Sequence, residues 1–188
     1  SGILMHISSL PGEYGIGKLG KPAYEFADFL KKSKQKYWQI LPVSPTSYGD
    51  SPYQSFSVYA GNPYFIDFEI LEEQGLLNAE DYKDINWGDD SQAVDYSLLY
   101  ENVFQVLKIA YKNFIKKTEI EYADFLKEQA HWIDNYGLFM ALKFAHGGKA
   151  WTEWEEPLKM FDDLAIEKAR KDYAEEIDFW RFVQYKYY

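Results

Sequence analysis

The stretch Tyr37-Trp38-Gln39-Ile40-Leu41-Pro42-Val43 is a dense apolar run that a proline interrupts, which is typical of a buried β-strand. Residues 3–7 form a second short apolar run that leads into the turn-forming residues 8–12, and they also predict a buried strand. Between the two runs, apolar residues recur at helical spacing after Pro22 and predict a helix over about residues 23–33. A strand, a helix and a strand at this spacing predict a βαβ unit.

The predicted pair of strands has a consequence for the rest of the fold. Two parallel strands do not make a stable sheet by themselves, because parallel sheets are buried on both faces and an open edge exposes unpaired backbone groups. The pattern therefore calls for further strands. The last helical pattern, residues 165–188, stops at Tyr187 and Tyr188 without Gly, Asn or Pro, so we expect the sequence to be cut inside an element.

Residues 70 onward are mostly helical in pattern. Two apolar stripes predict the core faces of two helices. Their members are Val103, Phe104, Leu107, Ile109, Ala110, Tyr111 and Phe114 in the first stripe, and Leu138, Phe139, Ala141, Leu142 and Phe144 in the second.

Composition excludes several classes of function. Twenty Lys and Arg against thirty Asp and Glu give a net charge of −10, which opposes binding to nucleic acid. Cysteine is absent, so thiolate metal sites and a cysteine nucleophile are excluded, and a reducing, cytoplasmic location is the expectation. No apolar run is long enough for a membrane span. Aromatic residues make up 19% of the chain, which suits both wet binding surfaces and cores.

Three possible sites fail on their spacing. The run from Gly15 to Gly20 matches the dinucleotide pattern G-x-G-x-x-G, but it neither follows a strand directly nor opens a helix. Paired acids such as Glu72-Glu73 do not face each other on a helix, so a solvated face explains them better than a glycosidase dyad. The histidines are too far apart for a metal motif and predict no metal site; they are His6, His131 and His146.

The segment at residues 48–55 is the strongest candidate for a binding site. It lies in a turn-rich loop over residues 44–63 and combines two tyrosines, a carboxylate, hydroxyls and an amide around Gly49 and Pro52. Sugars present apolar C–H faces and a rim of hydroxyls, so a sugar site needs aromatic surfaces flanked by hydrogen-bonding groups. The alternative is a well-packed loop with incidental tyrosines, and the residues alone do not decide between the two.

A series of motifs, in order along the chain, resembles the amino-terminal part of the 4-alpha-glucanotransferases of glycoside hydrolase family 77. The motifs cover essentially the whole sequence. They are Ser8-Ser9-Leu10-Pro11-Gly12, Tyr14-Gly15-Ile16-Gly17, Tyr37-Trp38-Gln39-Ile40-Leu41-Pro42, Tyr48-Gly49-Asp50-Ser51-Pro52-Tyr53-Gln54-Ser55-Phe56, Gly61-Asn62-Pro63-Tyr64, Val94-Asp95-Tyr96-Ser97-Leu98-Leu99-Tyr100 and Tyr136-Gly137-Leu138-Phe139-Met140-Ala141-Leu142-Lys143.

The resemblance implies an α/β fold, the amino-terminal portion of a (β/α)₈ barrel with a helical insertion. Residues 1–69 would hold the first two barrel strands and a glucan-binding loop, residues 70–164 the mainly helical insertion, and residues 165–188 a helix leading to a third strand. The family transfers α-1,4-glucan segments between maltooligosaccharides by a retaining double displacement and needs no cofactor. The expected partners are these glucans and the missing remainder of the barrel.

The resemblance also assigns roles to particular residues. The catalytic carboxylates are expected beyond Tyr188, so this sequence would supply binding groups only and be inactive alone. Asp50, Ser51 and Tyr53 match residues that border the active-site groove, and Tyr48 and Tyr100 match a pair at an additional glucan site.

The sequence departs from the family where Ser33-Lys34 replaces a small residue and Gly, and where Ser44 and Ser47 replace Gly. Two other functions stay open on the residues alone: a stand-alone carbohydrate-binding module, and an acidic helical interaction domain.

Overall fold

The computed structural model describes residues 1–47, 49–117 and 120–188. The protein is mainly helical with one small sheet and divides into two compact units. Unit 1 comprises Ser1–Thr118 together with Lys186–Tyr188, and unit 2 comprises Glu119–Tyr185. Within the described residues, no helix combines the length and the apolar character that crossing a membrane requires.

Unit 1 begins with the predicted βαβ arrangement. Strand β1 (Gly2–Leu4) pairs in parallel with β2 (Tyr37–Gln39), with Ile3 opposite Trp38 in the register. Helix α1 (Lys21–Lys32) connects them, after a short 3₁₀ turn at Ile7–Ser9. The strand, helix and strand order is therefore confirmed.

The two strands are shorter and more exposed than predicted. The predictions of strands over residues 3–7 and 37–43 are wrong in extent, because β1 gives way to the 3₁₀ turn and because Pro42 has no N–H to offer the ladder. Leu4 is 59% exposed and Tyr37 is 72% exposed, so the predicted burial is also absent. In the described part of the chain the sheet has these two strands alone.

Helix α1 ends in a Schellman turn. Gln35 N donates to Leu30 O at 2.9 Å and Lys34 N donates to Lys31 O at 3.1 Å, which is the pair of bonds that defines this cap. Lys34 has a φ of 56°, so a lysine occupies the left-handed position that glycine normally takes. Ser33-Lys34 therefore forms the turn at the cost of strain at Lys34.

The core of unit 1 is built around α2 (Phe68–Glu73) and α3 (Tyr96–Phe114). Asp67 and Asp95 cap the two helices, since each side chain accepts two backbone N–H groups of the first turn. The predicted stripe on α3 is confirmed as core, with Phe104 and Ile109 at its margin. The residues of α2 and α3 that are fully buried include Phe68, Leu71, Leu99, Val103, Val106 and Leu107.

Unit 2 is helical. It contains α4 (Ile120–Glu128), α5 (Ile133–Ala145), α6 (Glu156–Lys159), α7 (Asp163–Asp172) and most of α8 (Ala174–Tyr187). The apolar stripe predicted on α5 is buried at Leu138, Ala141 and Leu142. The single helix predicted over residues 165–188 is wrong, because the chain breaks at Tyr173 into α7 and α8.

Candidate functional site

The loop that follows β2 is closed by its own backbone. An antiparallel bridge joins Thr46 to Ser55, Ser47 N donates to Gln54 O at 3.1 Å, and Gln54 N donates to Ser51 O at 3.0 Å. The described residues of this loop, 46–47 and 49–55, thus form a compact turn rather than an extended connection. Tyr48, one of the predicted binding residues, lies outside the described residues.

The tip of this turn has two consecutive residues in the left-handed region. Gly49 has a φ of 81° and Asp50 a φ of 52°, and aspartate is among the few residues that tolerate this conformation. The Thr46 hydroxyl donates to Oδ1 of Asp50 at 3.4 Å. Burial raises the pKa of the Asp50 carboxyl, and the Thr46 hydrogen bond partly opposes this.

The far end of the loop is hydrogen-bonded to the segment that follows β2, and it positions an aromatic ring. Asn62 N donates to Val43 O at 2.8 Å, and Oδ1 of Asn62 accepts from Tyr64 N at 3.0 Å. This cap starts a 3₁₀ turn at Pro63–Phe65 that contacts α3. Tyr64 is buried there.

Three tyrosines meet where this turn contacts the first turns of α3. The ring centroid of Tyr64 lies 6.4 Å from that of Tyr96 and 6.0 Å from that of Phe104, and Phe104 lies 6.0 Å from Tyr100. We call Tyr64, Tyr96 and Tyr100 the tyrosine cluster. Their contacts lie in the range where edge and tilted aromatic pairs attract each other.

Asp50 acts on the tyrosine cluster electrostatically. Burial raises the pKa of Tyr64, and the nearby charge of Asp50 adds to this, followed by Tyr100 and Tyr96. Burial also raises the pKa of Tyr96, again with a contribution from Asp50. These phenols therefore stay protonated and available as hydrogen-bond donors throughout the ordinary pH range.

The predicted binding residues fall into two groups. Asp50 lies near the tyrosine cluster, to which Tyr100 belongs, and Tyr100 is 51% exposed. Ser51 and Tyr53 lie beside Asp50 in the turn, where Tyr53 N donates to Ser51 Oγ at 3.4 Å. The Tyr53 ring is 72% exposed and is open to solvent.

This arrangement suits the binding of a polar ligand that also has apolar faces. It offers exposed ring surface, phenol donors and one carboxylate that accepts hydrogen bonds. Asp50 is the one carboxylate of this group, and a glycosidic bond is normally cleaved by two that face each other across it. Among the described residues, no group of three or more His, Asp or Glu side chains is placed to hold a metal ion.

The glycine-rich run at residues 15–20 has a different setting. Gly15 and Gly17 line an open groove of about 600 Å³ together with residues 8–12 and 87–94. A 3₁₀ turn separates this run from β1, and α1 starts only at Lys21. The strand, glycine loop and helix sequence of a dinucleotide site is therefore absent at this run.

Neither Tyr64 nor Tyr96 is predicted as a site residue from the sequence alone. The signal for Tyr96 was available, because Asp95 is a favoured cap and Tyr96 and Tyr100 then stand four residues apart on one helix face. Tyr64 could not be found in this way, since its contact with α3 spans more than thirty residues and depends on tertiary packing.

Comparisons with known proteins agree on one family. The family model described as 4-alpha-glucanotransferase matches residues 5–188. A 4-alpha-glucanotransferase of Clostridium butyricum is 49% identical over 184 residues, which is 98% of this chain and 38% of that protein. One of Thermus thermophilus is 45% identical over 191 residues, covering 100% of this chain and 37% of the relative.

A solved structure gives the same result. The amylomaltase from Streptococcus agalactiae in complex with acarbose aligns with a TM-score of 0.95 and 44% identity. The alignment covers 98% of this chain and 38% of that one. The present chain thus spans less than two fifths of the length of the proteins it matches.

Proposed function

The chain belongs to glycoside hydrolase family 77, the 4-alpha-glucanotransferases, and from this membership we propose that it is part of an enzyme that transfers α-1,4-glucan segments between sugars. In this proposal a carboxylate attacks the anomeric carbon, and the 4-hydroxyl of an acceptor sugar rather than water resolves the glycosyl-enzyme. Maltooligosaccharides are the substrates. The named activity of relatives that match the whole chain supports this.

We propose that the chain contributes glucan-binding surface and that the reacting carboxylates come from the remainder of the enzyme. The chain spans 38% of the Clostridium butyricum relative, so most of such an enzyme lies elsewhere. Asp50, Ser51, Tyr53 and Tyr100 are the glucan contacts that we propose in the described residues, with Tyr48 as a further one. The observation that carries this proposal is that Asp50 lies close enough to the tyrosine cluster, which includes Tyr100, to act on Tyr64 electrostatically.

The finer fold is proposed on the same basis. We infer that β1 and β2 are the first two strands of a (β/α)₈ barrel, with the active site at the carboxyl ends of the strands. The parallel pairing of the strands and the exposed apolar side chains of Leu4, Tyr37 and Ile40 support this, because further strands and helices would cover them. The division at residues 69 and 164 and a cytoplasmic location stay predictions.

The alternative of a stand-alone carbohydrate-binding module is not supported. Its premise was a protein without a catalytic half, whereas the relatives that match this chain from end to end are named as enzymes.

Binding of maltoheptaose, followed by calorimetry, tests the proposed site. We expect Tyr100→Ala and Tyr53→Ala each to weaken binding about fivefold or more, since a stacking ring contributes about 1 kcal/mol. Tyr24→Ala is the matched control, because Tyr24 is an exposed tyrosine that belongs to α1 and not to the loop. Cellohexaose, a β-linked glucan, controls for linkage. Unchanged affinity in both site variants, with folding intact, would reject the site.

A separate assay tests the proposal that this chain lacks the reacting carboxylates. With maltotriose as substrate, we expect the 188-residue chain to release no glucose above background. Turnover by this chain alone would show that its own residues include the nucleophile, and would overturn the assignment of the carboxylates to the remainder of the enzyme.

A further inference from the structure

Lys18 is a charged side chain in an almost closed environment. The residue is 4% exposed, and its ammonium nitrogen donates to the Tyr64 carbonyl oxygen at 3.0 Å. The same nitrogen lies 4.0 Å from the centroid of the Phe68 ring, in cation–π geometry. Burial lowers the pKa of Lys18 to about 7, and the nearby charge of Asp67 opposes this shift.

The acidic groups near Lys18 compensate its positive charge only weakly, because they have other partners. Asp67 already accepts two backbone N–H groups with Oδ1 as the cap of α2. Glu69 accepts from the Tyr14 hydroxyl at 3.2 Å, and Lys21 pairs with Glu25 at 3.8 Å on the exposed side of α1. The ionisable residues around the cavity beside Lys18 are Glu13, Tyr14, Lys21, Glu25, Asp67 and Glu69.

The bond from Lys18 reaches the backbone of a residue in the tyrosine cluster. Its neighbour Leu19 donates N–H to Phe65 O at 2.9 Å, so residues 18–19 hold the 3₁₀ turn at two consecutive carbonyls. The ring of Tyr64 contacts Tyr96 and Phe104. A change in the Lys18 bond therefore acts directly on the position of the Tyr64 ring.

We propose that Lys18 is a positioning residue for the glucan site, and that its ammonium form holds the tyrosine cluster in the arrangement that binds glucan. A charged donor makes a stronger hydrogen bond than a neutral amine, and only the charged form has the cation–π attraction to Phe68. Loss of the proton weakens the hydrogen bond to Tyr64 O and removes the cation–π attraction to Phe68, and it thereby loosens the Tyr64 ring. The inference rests on the glucan-binding function proposed above and adds pH control to it.

Glucan affinity at two pH values tests the proposal. For the unmodified chain we expect the affinity for maltoheptaose to fall about fivefold between about pH 6 and about pH 8.5, as Lys18 loses its proton. Lys18→Met fills similar space without a charge, so its affinity is expected to be low and equal at both pH values. Lys21→Met is the matched control and should follow the unmodified chain, because Lys21 is exposed and makes no bond to the turn.

Two results of this measurement would overturn the proposal. One is a flat affinity in the unmodified chain, and the other is an equal fall in Lys18→Met, which would assign the pH dependence to other groups such as His6 or His146.

A measurement without glucan separates this inference from the proposed function. In a chain with ¹³C-labelled lysine and tyrosine, the ring signals of Tyr64 and Tyr96 should shift with the same midpoint near pH 7 as the Lys18 side chain. Shared midpoints together with no binding of maltoheptaose at either pH would reject glucan binding and keep the positioning role. A Lys18 midpoint above about pH 9.5, close to the ordinary lysine value, would reject the positioning role even if Lys18→Met did not fold.

Discussion

Gly61 lies directly against the ring of Tyr187, since a Cβ atom placed on Gly61 would be 2.0 Å from Cδ1 of that ring. The next residue, Tyr188, donates its hydroxyl to the Tyr59 carbonyl oxygen at 2.6 Å. Two consecutive tyrosines thus hold the end of the loop that carries Asp50 and Tyr53. The fit depends on the absence of a side chain at Gly61.

Gly61→Ala is therefore expected to lower the free energy of unfolding by about 2 kcal/mol, because the methyl group overlaps the Tyr187 ring. Urea denaturation measures this loss. In a Tyr187→Ala background Gly61→Ala should cost less, since the overlap then disappears. Equal losses from Gly61→Ala with and without the Tyr187 ring would contradict the explanation.

Asp95 determines where α3 begins and, through it, where Tyr96 and Tyr100 are placed. Its Oδ1 accepts from Ser97 N at 3.0 Å and Leu98 N at 3.1 Å. Asp95→Ala should cost about 1 kcal/mol of stability, whereas Asp95→Ser should retain most of the cap. Asp90→Ala is the control, because Asp90 makes the same kind of bond in a loop that starts no helix. A loss as large in Asp90→Ala would mean that the cap of α3 is not responsible.

Lys34 occupies the left-handed position of the Schellman turn after α1 at a steric cost. Lys34→Gly should raise the free energy of unfolding by about 0.5 to 1 kcal/mol. The substitution relieves the steric strain, and this gain is partly offset because glycine adds entropy to the unfolded chain. Ser33→Gly should give no gain, because Ser33 has a φ of −80° and no such strain. A gain of equal size at Ser33 would show that the effect is not conformational.

Local signals predicted much of this structure. The βαβ order followed from two apolar runs and a helical spacing between them, and the core faces of α3 and α5 followed from periodicity. The break at Tyr173 was missed because no Gly or Pro marks it. Its signal is electrostatic: Arg170 and Lys171 end one helix and Glu175 and Glu176 begin the next, as the helix dipoles favour.

The candidate site was predictable only in part. Asp50, Ser51 and Tyr53 stand together in sequence, so composition alone located their turn. Tyr64 and Lys18 were missed because their roles depend on burial and on the hydrogen bond between them. That bond joins the Lys18 ammonium to the Tyr64 carbonyl oxygen across 46 positions of the chain, which a local pattern does not show. The prediction that the two strands are buried failed for the same reason, since burial depends on neighbours in space that the local sequence pattern does not contain.

His146 in unit 2 gives a pH dependence whose direction follows from its partners. Its Nε2 lies 2.8 Å from Oε2 of Glu155 and its Nδ1 lies 2.7 Å from the Leu142 carbonyl oxygen. Both partners accept hydrogen bonds, and only the protonated ring can donate from both nitrogens. The Glu155 bond, followed by the Leu142 bond, therefore raises the pKa of His146 above 6.5.

The stabilisation that this raised pKa represents is fully present below pH 6.5, the value of an unfolded histidine, and disappears as the pH rises through the folded value. Glu155→Gln should thus lower the urea midpoint at about pH 6 and leave it nearly unchanged at about pH 8.5. Glu156→Gln is the matched control, since Glu156 pairs with Lys159 instead and should show the same small effect at both pH values. A Glu155→Gln difference that stays constant or grows with pH would contradict the assignment, because a neutral ring gains much less from the carboxylate than the imidazolium does.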